Sequence, residues 1–270
     1  MKKITFKLTY HHGDANDGRL DLYDASQSFQ GFAKALTITV HALLNDGEVR
    51  KQGNKINGAK LFINPSRKGS FEELLTIIIE NNALVGIGAS VVGAAFYDLL
   101  KLTWSKTFNQ DYEPTTPTVK RLIDRKEPFI GEMEEALEIP LEQAHRPIRQ
   151  HRDMSIIITR PRDPYQIIKL DNDTLQSVSI RTENEVVQVV GNVTRYNIIS
   201  GIGRFYDDDE EKTISFKIPD DAGSSQRRRI TWSLHNAQTD GEGKIRLEVK
   251  KIVSARGVTR RYLVQKVHRI

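Results

Sequence analysis

The side chains best suited to chemistry in this sequence are aromatic and basic residues near its C-terminal end. Tyr196, Phe205 and Tyr206 lie in one short stretch, interleaved with Arg195 and Arg204, and the consecutive Arg227, Arg228 and Arg229 follow. Aromatic faces stack on the bases of single-stranded nucleic acid for about 1–3 kcal/mol each, and guanidinium groups meet phosphates. Aromatic residues in strands also fill cores, and surface arginines also serve solvation, so both readings of these eight residues stand. The net charge of +5 permits an acidic partner without requiring one. The acidic run Asp207, Asp208, Asp209, Glu210 and Glu211 opposes the arginines within the same region and is expected in a turn.

Other candidate chemistry is sparse. The sequence has no cysteine, which excludes disulfides, thiolate metal sites and a cysteine nucleophile, and fits a reducing compartment. His11, His12 and Asp14 are a possible ligand set, but adjacent histidines on a strand point to opposite faces and chelate poorly. Gly86 and Gly88 lack the third glycine of a dinucleotide fingerprint, and there is no P-loop and no Gly-x-Ser-x-Gly elbow around Ser70. Asp171 and Asp173 read as turn residues. No catalytic residue, metal ligand or cofactor is assigned. The chain reads as a non-catalytic binding protein, with an unrecognised enzyme kept as an alternative.

The elements that must position these residues follow from periodicity. Residues 3–10 alternate as a half-buried strand, and residues 20–23 suggest a return strand. A helix follows, capped by Asp24 or Ser26, with Phe29, Phe32, Ala33, Leu36, Val40 and Leu43 on its inner face. Residues 59–64 and 70–80 read as a hairpin. Residues 113–117 form a linker and 119–126 a short helix. Residues 128–150 form a helix that Pro140 and Pro147 would kink or break. Strands are expected at 155–159, 165–170 and 175–181.

Residues 81–106 differ from the rest. They form an apolar helix rich in small residues, with Gly86/Ser90, Ala89/Gly93 and Ser90/Ala94 at the spacing of close helix packing. Asp98 and Lys101 interrupt the apolar run, which favours a buried or partner-facing helix. The alternative is a membrane-acting effector that inserts residues 81–104 on activation. The opening MKKITFKLTY alternates too regularly for a signal peptide, and the expected location is cytoplasmic.

Residues 186–270 carry the most specific pattern. Strands at 186–196, 204–206 and 212–218, a helix at 224–236 with Ile230, Leu234 and Trp232 inward, and strands at 244–253 and 259–267 give the order β-β-β-α-β-β of an OB-fold. Gly191 inside the first strand predicts the sharp bend of a small barrel. Gly191-Asn-Val-Thr-Arg-Tyr-Asn197 followed by Gly201-Ile-Gly203-Arg-Phe205 resembles the first hairpin of cold-shock domains. It departs from them at Arg195, where that family has a stacking aromatic, and at Arg204-Phe205-Tyr206, which replaces a phenylalanine-rich motif. The resemblance implies barrel geometry and an affinity for single strands. The whole chain also resembles small bacterial proteins encoded among mobile-element and phage-defence genes, which implies no residue roles.

The expected fold is therefore α+β. An N-terminal sandwich-like unit (1–112) precedes a helical linker region (113–153) and a β-rich domain (154–270) that ends in a five-stranded OB-like barrel. The expected partners are single-stranded DNA or RNA, or a protein, at the barrel. Self-association is expected through residues 81–106, with membrane contact only on activation.

Overall fold

Strand alternation and one long amphipathic helix organise the first half of the chain. The computed structural model describes residues 2–50, 56, 58–64, 71–80, 88–125, 129–161, 163–237 and 243–270. Strand β1 (Lys2–His11) buries Ile4, Phe6, Leu8 and Tyr10 on one face and leaves Lys3, Thr5, Lys7 and His11 partly exposed on the other. It pairs antiparallel with β3 (Glu72–Ile79) and with β4 (Ser155–Arg160). Strands β2 (Ala59–Ile63) and β5 (Asp163–Leu170) complete the order β2-β3-β1-β4-β5.

Helices cover the apolar face of this sheet. Helix α1 (Leu22–Leu44) starts at Asp21, whose side chain accepts the Asp24 N–H, so the expected return strand at 20–23 is instead a cap and a first turn. Its buried stripe runs through Phe32, Ala35, Leu36, Thr39 and Val40, while Ala33 is exposed. Helix α2 (Ala89–Thr107) packs beside it: Phe32 stacks on Trp104 at 6.1 Å, and Trp104 Nε1 donates to Thr39 Oγ1 at 3.1 Å. Phe96, Leu99, Leu100 and Trp104 are all buried, so α2 is a core helix. Among the described residues no helix is long and apolar enough to cross a membrane.

Helices α3 (Pro117–Arg125), α4 (Phe129–Ala144) and α5 (Arg146–Gln150) follow. Pro140 sits inside α4 without ending it. There the backbone of α1 approaches closely: a Cβ on Gly31 would lie 2.5 Å from Pro140 O and 2.4 Å from Ala144 N. Residues 172–178 correct the expected strand at 175–181. They form helix α6 (Asn172–Val178), because Asp171 Oδ1 accepts the N–H groups of Asp173 and Thr174 as an N-cap.

The second unit holds residues 125–132 and 179–270, and the first holds the rest. The expected boundary at 153/154 thus moves to 178/179. Residues 154–178 were expected in the β-rich domain, yet β4 and β5 join β1 in the first sheet. In the second unit, β6 (Ile180–Tyr196), β7 (Ile202–Asp207), β8 (Lys212–Lys217), β9 (Ile245–Ser254) and β10 (Thr259–Arg269) close a barrel in the order β10-β8-β7-β6-β9. Strands β8 and β10 pair in parallel and the other neighbours antiparallel, with helix α7 (Ser224–Asn236) between β8 and β9. This is the OB-like barrel expected from the sequence. Its interior is filled by Val193, Phe205, Phe216, Leu247, Val249, Tyr262 and Val264, with Ile230 packed in from α7. At Gly191 the backbone of β7 leaves no room for a side chain: a Cβ there would sit 1.8 Å from Tyr206 O.

Candidate nucleic-acid interface

Barrel register sorts the sequence-selected residues into core, scaffold and surface. Neighbouring residues on a strand face opposite ways. Phe205 pairs with Val193 and points inward, fully buried, which corrects its expected role as a stacking platform. Tyr206 therefore points outward and is 40% exposed. Arg204 pairs with Arg195 across β6 and β7, next to a register shift between Val193 and Arg195. The outer surface of these two strands thus carries Asn192, Thr194, Arg195, Arg204 and Tyr206, with Thr213 of β8 beside Tyr206.

The remaining candidates have structural duties. Tyr196 is half-buried, stacks on Phe216 at 6.0 Å, and receives a hydrogen bond from Arg227 Nη1 at 3.2 Å. Arg227 also donates to the backbone carbonyls of Ile198, Pro219 and Asp220, so it ties the β6–β7 turn to the approach of α7. Arg229 Nη1 donates to Val267 O at 2.6 Å and fastens α7 to β10. Arg228 is exposed. Two members of the arginine triplet, Arg227 and Arg229, thus also hold the barrel together.

The acidic run is likewise built in. Asp207 is buried and accepts from Tyr262, Asp209 N and Glu210 N, while Lys244 pairs with Asp208, and Lys212 and Lys251 pair with Glu210. These lysines pair with two of the five carboxylates of the turn.

Two features escaped sequence reading. Part of the outer surface is covered: Ser215, which pairs with both Arg204 and Arg261, is buried, and Gly131 lies so near that a Cβ on it would come 3.0 Å from Ser215 Oγ. Arg261 is also buried. The second feature is the turn 197–201. Asn197 Oδ1 accepts from Ile199 N and Ser200 N, and Glu132 accepts from Asn197 Nδ2 at 2.8 Å and from Ser200 Oγ at 2.6 Å. This pinned turn holds Ile198 and Ile199 62% and 92% exposed. Asn197 in the hairpin motif signals a turn, but nothing local to it points to Glu132.

The small-residue positions fall on the outer side of α2. Ser90 and Ala94 are exposed and Gly93 half-exposed, and all three line a concave strip with Lys3, Ile4, Thr5 and Tyr97. The side chain of Ala89 and the whole of Gly86 lie outside the described residues. Among the described residues no group of three or more histidine and carboxylate side chains is placed to hold a metal ion.

Fold and surface together define a two-unit α+β protein, a helix-covered sheet joined in sequence to an OB-like barrel. The chain belongs to the family described as a domain of unknown function (DUF7946), which it matches over residues 6–179; residues 185–268 match a second family of unknown function (DUF7947). The gap between the two matches, residues 180–184, begins just after the structural boundary at 178/179. No curated protein matches the chain.

Proposed function

We propose that this is a non-catalytic binding protein whose barrel engages single-stranded nucleic acid through the outer face of β6 and β7. One observation carries the reading: Arg195 and Arg204 are paired in register on that face, with exposed Tyr206 beside them. OB barrels bind single strands at a face that includes their second strand, and β7, which carries Arg204 and Tyr206, is the second strand here. A cationic track with an aromatic platform is the combination such surfaces use.

Binding to labelled single-stranded DNA and RNA, followed by fluorescence polarisation at low and physiological salt, tests the reading. Affinity should fall with salt with a log–log slope of about 0.7 per phosphate contacted. The R195E/R204E pair should weaken it strongly while Lys34→Glu, an exposed change on α1, leaves it intact.

A second reading, a protein partner, is favoured by Ile198 and Ile199. Isoleucines held outward on a braced turn suit an apolar contact. Partner capture that is lost in Ile199→Asp but kept in R195E/R204E would select this reading over the first.

A further inference from the structure

A concave site on the first unit, separate from the barrel, is lined by three tyrosines and two cations. It has a volume of about 310 Å³ and lies between α2, the segment before α3, the end of β4 and the start of β5. Tyr97, Lys101, Tyr112, Arg160 and Tyr165 face it. The Lys101 ammonium sits 4.9 Å from the centre of the Tyr112 ring and 5.1 Å from that of Tyr165, and donates to Tyr165 Oη at 3.1 Å. The Arg160 guanidinium sits 4.7 Å from the centre of the Tyr97 ring. Aromatic faces attract cations and fix their position, so both charges are held in place before any ligand arrives.

Of the charged side chains that line the site, two are cations, Lys101 and Arg160, and one is a carboxylate, Asp98. Arg160 also pairs with Asp163, which lies outside the lining, at 3.9 Å. The carboxylate that lines the site, Asp98, is turned to the segment before α3. It accepts from Tyr112 Oη at 2.8 Å, Thr116 N at 2.7 Å, Thr116 Oγ1 at 2.6 Å and Thr115 N at 3.1 Å. These neutral donors hold its proton affinity below the ordinary carboxylate range despite burial, so Asp98 keeps its negative charge at the site. Tyr165 Oη accepts from Lys101, which leaves its own hydrogen free to donate.

We infer that this site binds the phosphoryl group of a small phosphomonoester, with Lys101, Arg160 and the Tyr165 hydroxyl as its donors. These donors line the site from α2, β4 and β5, and donors on different elements suit a tetrahedral dianion better than a flat carboxylate. Charge-assisted hydrogen bonds from lysine and arginine to phosphate oxygens are the strong class. At about 310 Å³ the site is at the lower end of the range for small-molecule pockets, which suits a phosphate with an organic group no larger than a nucleoside.

Calorimetric titration of the full chain with inorganic phosphate, adenosine 5′-monophosphate and acetate tests the inference. Phosphate and the nucleotide should bind saturably and acetate should not. Tighter binding of the nucleotide would mean that its ring adds contacts, and equal binding that the phosphoryl group suffices. Lys101→Met and Arg160→Met should each weaken binding by about tenfold or more, Lys101→Arg should restore part of it, and R195E/R204E on the barrel should change nothing. Circular dichroism checks that each variant is folded. No saturable binding of either phosphate, equal binding of acetate, or affinity unchanged in both methionine variants would overturn the assignment.

Discussion

Tyr262 donates its hydroxyl hydrogen to Asp207 Oδ2 at 2.6 Å inside the barrel wall, and both side chains are buried. The pair joins β10 to the end of β7, although the two strands are not neighbours in the sheet. The other Asp207 oxygen accepts the Asp209 and Glu210 N–H groups and so shapes the acidic turn. Burial and the adjacent carboxylate push the Tyr262 phenol well above its ordinary range, so it stays protonated as a donor. Removing one partner of such a bond strands a buried carboxylate. Tyr262→Phe should therefore lower stability by about 1.5–3 kcal/mol, and Asp207→Ala by more, because the turn loses its acceptor too. Urea unfolding of each variant measures both values.

The α1–α4 contact should be intolerant of a single methyl group. At Gly31 a Cβ would collide with the backbone of α4 at Pro140 and Ala144. Backbone cannot step aside as a flexible side chain can. Ser28 Oγ also donates to Ala144 O at 2.8 Å, so any separation of the helices breaks a buried hydrogen bond. Gly31→Ala, which would favour an isolated helix, should instead destabilise the protein by about 1–3 kcal/mol, read as a lower melting temperature.

His145 should make stability depend on pH. Burial pushes its imidazole down from its ordinary value to about 4. Its Nδ1 lies 2.6 Å from Leu141 O and its Nε2 2.8 Å from Thr174 Oγ1, an arrangement that suits the neutral ring with hydrogen on Nδ1. Between pH 6.5 and 4 the unfolded chain binds a proton that the folded one refuses. Stability is therefore complete above about pH 6.5 and is lost as pH falls through this window, by up to about 3 kcal/mol from this residue. His11 and His41, also pushed down chiefly by burial, add to the same direction. Urea titrations at pH 7 and pH 4.5 should show the loss, and His145→Gln should flatten it.

Much of the barrel was legible because its signals are local. Helix α7 has the bounds that its pattern predicts, and Gly191 marks the tight approach of β6 to β7. The first sheet was less legible, because β1 pairs with β4 across most of the first unit and long-range pairing leaves no local trace. Leu175 to Val178 has the composition of a strand, yet the cap at Asp171 starts helix α6 there. Within the candidate interface, Phe205 and Tyr206 could never both face a ligand, since strand neighbours point apart. Which of them faces in depends on the register with β6, and the shift beside Arg195 makes that a property of the pair rather than of either strand. The duties of Arg227 and Arg229 rest on carbonyls of Pro219, Asp220 and Val267, partners that residue type alone does not reveal.

Salt dependence gives the interface a quantitative handle. If Arg195 and Arg204 each neutralise one phosphate, replacing both with glutamine should reduce the log–log salt slope by about 1.4. Tyr206→Ala should weaken binding by about 1–3 kcal/mol through lost stacking and leave the slope unchanged. Polarisation titrations over a salt series separate the two effects.

The most direct measurement is the affinity of the folded R195E/R204E variant for single-stranded DNA and RNA, compared with the parent chain at low salt. The account predicts salt-sensitive binding by the parent and its near-complete loss in the variant, with Arg228→Glu causing a smaller change. Parent binding that survives the double reversal, or no binding by the parent at any salt, would contradict it.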